Sequence, residues 1–227
     1  MELKAEGVSR QYFRQSKLSN VFLAVKETSL ILPAGQLTEI TGRSGSGKST
    51  LLHMLAGLLT PTTGRVLLGS TDLYALNDAE RSKLRNKSIG VIPQGQTALR
   101  SLTVLENVKL PCVMYGDEVA DDTALELLER VGLAALRYAW PNELSGGELR
   151  RLAIARALLR KPAVLLADEP TSNLDDENTR AVLRLLRQCA DKGTAVLLVT
   201  HEREAAEYAD RMLCMSDGNI ERTPLPV

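Results

Sequence analysis

Two runs of residues in this chain have the types and spacing needed to act on a chain of phosphates. The first is Gly42, Arg43, Ser44, Gly45, Ser46, Gly47, Lys48, Ser49 and Thr50, a G-x-x-x-x-G-K-[ST] pattern between an apolar strand and a helical stretch. Glycines at 42, 45 and 47 let a backbone curl until its N–H groups converge on an anion. The helix that follows turns its positive end to the same place. Lys48 then suits the β- and γ-phosphates of a nucleoside triphosphate, and the Ser49 hydroxyl suits a magnesium ion. A plain glycine-rich turn would account for neither the Lys-Ser pair nor the strand before it.

The second run, Ala163–Pro170, is an apolar stretch ending in two carboxylates. An apolar strand sets Asp168 at its tip, where it can meet magnesium held by Ser49. Glu169 comes next, on the other side of the chain. From there it can orient or deprotonate a water that attacks the γ-phosphate. A third feature is weaker in isolation. Ser145, Gly146 and Gly147 head an amphipathic stretch, and a helix starting there presents N–H groups to an anion.

These runs need elements to hold them. Leu3–Val8 and Val21–Leu32 read as strands, closed by a turn at Pro33–Gly35. Leu37–Thr41 is a short strand feeding the glycine loop, with a helix from Lys48 to about Gly57. Gly64–Gly69 and Ile89–Pro93 are further strands. From 96 to about 145 the apolar spacing turns helical, which predicts a helical subdomain inserted in a strand-and-helix core. A helix at Gly146–Leu159, a strand at Ala163–Ala167, a helix at Glu177–Ala190, a strand at Ala195–Thr200 and a helix at Arg203–Ala209 complete the pattern. Such alternation predicts an α/β fold with a mostly parallel sheet, helices on both faces and ligands at the strand ends. One domain fits the length of 227 residues.

Composition excludes more than it assigns. Lys plus Arg equals Asp plus Glu at 28 each, so nothing argues for nucleic acid or an acidic membrane surface. Cys112, Cys189 and Cys214 are odd in number and lack metal-ligand spacing, which reads as reduced thiols in the cytosol. No signal peptide is recognisable, and the longest apolar runs are strand-sized. Any action at a membrane therefore needs another chain. Trp140 reads as a packing residue, His53 as a satisfied core or surface histidine, and Arg150, Arg151, Arg156, Arg160 and Lys161 as a solvated helix face with ion pairs.

The string Leu144–Glu148, LSGGE, closely resembles the signature of ATP-binding-cassette ATPases, and the chain resembles that family from end to end. The resemblance implies a P-loop ATPase with an N-terminal antiparallel β subdomain, taking ATP and Mg2+. It implies a head-to-tail dimer, in which the phosphate loop of one copy faces Ser145 and Gly147 of the other. Gln94 matches the glutamine that contacts magnesium and reports to the transport partner. Asp175 closes the loop that crosses the dimer interface, and His201 matches the histidine that touches the γ-phosphate. Tyr12 or its neighbour Phe13 would stack on adenine. Glu148 stands where glutamine is usual, and the residues after Gln94 lack the usual aromatic.

"LTVLENVKLP" and "ADEPTSNLD" are similar to the macrolide-export, lipoprotein-release and antimicrobial-peptide-export branch. That implies a separate integral membrane permease and a location on the inner face of the cell membrane. Two alternatives are a cassette that regulates a cell-envelope hydrolase through a permease-like partner, and a soluble cassette acting on DNA or ribosomes. The second usually needs a coiled-coil arm or two cassettes in one chain.

Overall fold

The computed structural model describes residues 1–13, 21–95, 97–118 and 120–223. Gln96, near the expected start of the helical insert, lies outside them.

Two sheets carry the fold. The smaller is antiparallel: β1 (Leu3–Phe13) pairs with β2 (Val21–Leu32) on one side and β4 (Thr63–Leu68) on the other. The two-residue strand β5 (Thr71–Asp72) pairs antiparallel with the free edge of β4. The larger has six strands in the order β10-β9-β3-β8-β7-β6. Here β3 is Leu37–Thr41, β6 Ile89–Ile92, β7 Val164–Asp168 and β8 Ala195–Val199, all parallel to their neighbours. Strand β9 (Arg211–Ser216) is parallel to β3, and β10 (Asn219–Thr223) turns back on β9. Every residue of β7 and β8 is buried, as expected of parallel strands covered on both faces.

Helices supply the cover. On one face α1 (Lys48–Leu55) packs with the small sheet in an apolar core that includes Ile40, Leu51, Val66 and Leu197. The opposite face packs against α5 (Gly146–Leu158) and α6 (Asp176–Asp191), through Leu37, Ile154, Leu183 and Leu198. The same core continues into α3 (Val104–Val113) and α4 (Asp121–Arg130) through Val108 and Leu128. Helix α2 (Asp78–Ser88) leads into β6.

Local chemistry sets where these helices start. Asn77 with Glu80, Thr103 with Glu106, and Ser145 with Glu148 each form a reciprocal capping box, and Asp175 caps α6 through the Asn178 N–H. The helix expected over Arg203–Ala209 is a 3-10 helix, Arg203–Tyr208. Trp140 is 45% exposed, so its expected packing role is only half met.

One buried group conflicts with its surroundings. Glu39 lies mid-strand in β3, 1% exposed, with Oε2 lacking a hydrogen-bond partner. Burial pushes its carboxyl up from 4.5 to about 7. The folded chain therefore holds this proton more tightly than the unfolded chain. Its contribution to stability is intact below about pH 4.5 and is lost as pH rises through 7. Glu39→Gln should unfold at higher urea than wild type, and the gap should widen by about 2–3 kcal/mol between pH 5 and pH 8. A gap independent of pH would contradict this assignment.

Candidate functional site

The carboxyl edge of the large sheet opens on a cavity of about 910 Å3. Strand β3 leads into the glycine loop, which reaches the cavity through Gly42, Arg43, Ser44, Gly45, Gly47 and Lys48. Two of these glycines are forced by backbone approach: a Cβ on Gly42 would lie 2.2 Å from the Met215 carbonyl oxygen, and one on Gly47 2.1 Å from that of Ala24. Both have positive φ, 151° and 106°, which glycine alone adopts readily. Lys48 folds back over the loop, its Nζ donating to the carbonyls of Gly42 at 2.7 Å and Arg43 at 3.0 Å. One N–H donor remains for an anion. The first turn of α1 carries no acidic residue to oppose that anion.

Arg43, Ser44, Gly45, Ser49 and Thr50 line the same cavity as Gly42, Gly47 and Lys48. Ser46 does not. It is buried beneath the loop, its N–H donating to the Arg43 carbonyl and its carbonyl accepting from Gly218.

Strand β7 ends below the loop with Asp168, 2% exposed. Burial raises its carboxyl above the usual carboxylate range, and the Ser49 hydroxyl bonded to it pulls the other way. Oδ1 is buried without a partner. A desolvated carboxylate with one orphaned oxygen, beside a hydroxyl on the cavity wall, fits the donor set of a hard divalent cation. Among the described residues no cluster of three His, Cys, Asp or Glu could hold a metal alone. Phosphate oxygens and water would have to complete the shell.

Glu169 follows with φ 47°, a left-handed conformation that costs about 1–3 kcal/mol in a residue other than glycine. Its N–H donates to the Val199 carbonyl at 2.8 Å, which anchors the turn to β8. The side chain reaches the cavity, and its Oε2 is 2.8 Å from His201 Nδ1. Gln94, just past β6, reaches the cavity from the other side of Glu169. The turn at Glu169 thus separates two acidic neighbours: Asp168 under Ser49, Glu169 facing the open volume.

Tyr12, near the end of β1, lines the far wall, whereas Phe13 is 82% exposed and does not. The Arg10 guanidinium stacks on the Tyr12 ring at 4.8 Å from its centroid. Phe22, the cross-strand partner of Tyr12, also lines the wall, as does Ala24. Sequence reasoning missed both; the recognisable signal was the β1–β2 pairing that brings them opposite Tyr12.

Ser145, Gly146, Gly147 and Asp175 do not line this cavity. They form a second cluster. The Ser145 N–H donates to the Glu148 carboxylate at 2.7 Å and its hydroxyl at 2.8 Å, and these bonds hold the Glu148 carboxyl below the usual range. A Cβ on Gly147 would meet the Asn178 amide at 2.8 Å. Asn178 Nδ2 donates to Asp175, and its Oδ1 accepts from Arg151 at 2.5 Å.

Comparison with known proteins gives these clusters a family. The profile of the family described as "ABC transporter" matches residues 25–172. The lipoprotein-releasing system ATP-binding protein LolD of Shewanella oneidensis is 42% identical over 222 residues, covering 96% of this chain and 95% of the relative. LolD of Xanthomonas axonopodis pv. citri is 41% identical over 221 residues, covering 96% and 89%. A dimeric structure of MJ0796, a bacterial ABC transporter cassette, superposes with a TM-score of 0.90 at 33% identity, covering 99% of each chain. A dimeric post-hydrolysis state of MJ0796, bound to ADP and Pi, gives 0.88 at 33% identity, covering 97% and 98%. With a glycine-rich loop, a buried acid and a cavity-facing carboxylate on one sheet edge, the chain belongs to the ABC transporter family, as an ATP-binding and ATP-hydrolysing cassette.

Proposed function

We propose that this chain is the ATPase subunit of a lipoprotein-release type transporter, working as a head-to-tail pair on a separate membrane permease. Residues 1–227 form one cassette domain in this reading, with 96–145 as its helical subdomain. The observation that carries the reading is the 42% identity to a lipoprotein-releasing ATP-binding protein across nearly the whole of both chains. No helix among the described residues is long and apolar enough to cross a membrane, and in this reading the permease is a separate chain. That puts the cassette on the inner face of the membrane, held there by its partner.

Position in the cavity supports a role for each residue in this reading. The loop from Gly42 to Thr50 holds the phosphates of ATP, with Lys48 on the β- and γ-phosphates, while Tyr12 stacks on adenine. Ser49, Asp168 and Gln94 hold magnesium, which neutralises charge on the phosphate oxygens when bound. Glu169 orients and deprotonates the attacking water, and His201 holds Glu169 and reaches the γ-phosphate. Ser145, Gly146, Gly147 and Asp175 lie off their own cavity, so they are free to close on the cavity of a second copy. The two MJ0796 structures compared above, 33% identical to this chain, are both dimeric.

The test is the purified transporter, cassette plus permease, in lipid nanodiscs. Its ATPase should rise severalfold with a lipid-modified protein and stay at baseline with a macrolide or an antimicrobial peptide. Stimulation by either of those, and not by lipoprotein, would contradict the substrate class.

A further inference from the structure

The arginines of α5, and Arg160 just past its end, do not form the solvated face that their charge run suggests. Arg156 Nη1 donates to the Thr97 carbonyl at 2.8 Å, Arg160 pairs with Asp117, and Arg151 holds Asn178. Arg150 is the most buried of them, 7% exposed. Its Nη1 donates to the carbonyls of Pro93 at 3.0 Å and Gly95 at 3.3 Å, the residues on either side of Gln94. Its Nη2 donates to the Ser172 hydroxyl at 3.3 Å. Ser172 belongs to the turn that Glu169 begins: its N–H donates to the Glu169 carbonyl at 3.3 Å.

One planar fork therefore joins two loops that enter the nucleotide cavity from different strands, β6 and β7. Its hydrogen-bond partners are two carbonyls and a hydroxyl, and no described carboxylate pairs with it. A buried cation with neutral partners is a poor choice for stability alone. A rigid guanidinium is, in contrast, well suited to fixing two backbones at a set separation, which a lysine ammonium cannot do. We propose that Arg150 is a positioning residue for ATP hydrolysis, tying the Gln94 loop to the Glu169 loop so that displacement of one is passed to the other. This rests on the reading above that Gln94 and Glu169 serve the γ-phosphate.

The test compares steady-state ATPase of wild type, Arg150→Ala, Arg150→Lys, Gln94→Ala and the Arg150→Ala/Gln94→Ala pair, with thermal melting of each. Both Arg150 variants should lose about tenfold in kcat, with KM for ATP within about twofold, because the reacting groups are misplaced while the phosphate loop is untouched. The double variant should turn over within about twofold of Gln94→Ala alone, since one linkage is cut twice. Arg150→Lys keeps charge and bulk, so it carries the test if the alanine variant fails to fold. Full turnover in the lysine variant, or losses that multiply in the double variant, would overturn the proposal. A Gln94→Ala variant with normal turnover would instead overturn the assignment of Gln94, and the linkage with it.

Discussion

Glu169→Gln should bind ATP as the wild type does and hydrolyse it about 10²–10⁴-fold more slowly. The amide keeps the shape of the carboxylate and lacks its proton affinity. The two acids on β7 and its end are not equivalent, which is why the loss is assigned to Glu169. Asp168 is sealed beneath Ser49, whereas Glu169 is carried into the open cavity by a left-handed turn pinned to Val199. A strained turn at that point persists because β8 and His201 hold it from two sides. With hydrolysis blocked, ATP keeps both copies of the cassette engaged, so the variant should sediment as a dimer in ATP and as a monomer in ADP. Near-normal turnover in Glu169→Gln would contradict the assignment.

Much of this site was legible because local chemistry and long-range architecture agree there. The loop from Gly42 to Thr50 announces itself by residue type, with β3 as the short strand that feeds it, and β7 and β8 by apolar runs that suit buried parallel strands. What escaped reading depends on contacts distant in sequence. Strands β9 and β10 alternate too weakly to stand out, although the Asp217-Gly218 pair between them, both at positive φ, is a recognisable hairpin turn. Phe22 reaches the cavity only because β2 pairs with β1 beside Tyr12. The charge run on α5 looked solvated because nothing in its sequence shows that the loops at Pro93–Gly95 and Ser172 will close over Arg150. Gly147, in turn, reads as a phosphate-binding glycine, yet the space above its Cα is occupied by Asn178 of α6.

That last contact bears on the central claim, that two copies share each site. Gly147 packs against Asn178, which donates to Asp175, while Ser145 is bonded to Glu148, and none of them lines the cavity of its own chain. ATP then acts by binding the closed pair better than the open one, which is the condition for it to drive a partner.

The decisive measurement mixes two variants that are each inactive. Lys48→Ala removes a charge-assisted donor worth about 1.5–3 kcal/mol per bond to phosphate, so its own loop no longer holds ATP. Ser145→Arg fills the helix terminus that would close on the partner's γ-phosphate. In a mixed dimer one shared site carries both lesions and the other carries neither. Mixing equal amounts should restore about a quarter of wild-type turnover per chain, if pairing is random and the sites act independently. If hydrolysis stays at background while crosslinking shows that mixed dimers have formed, each chain completes its own site and the account of sharing is wrong.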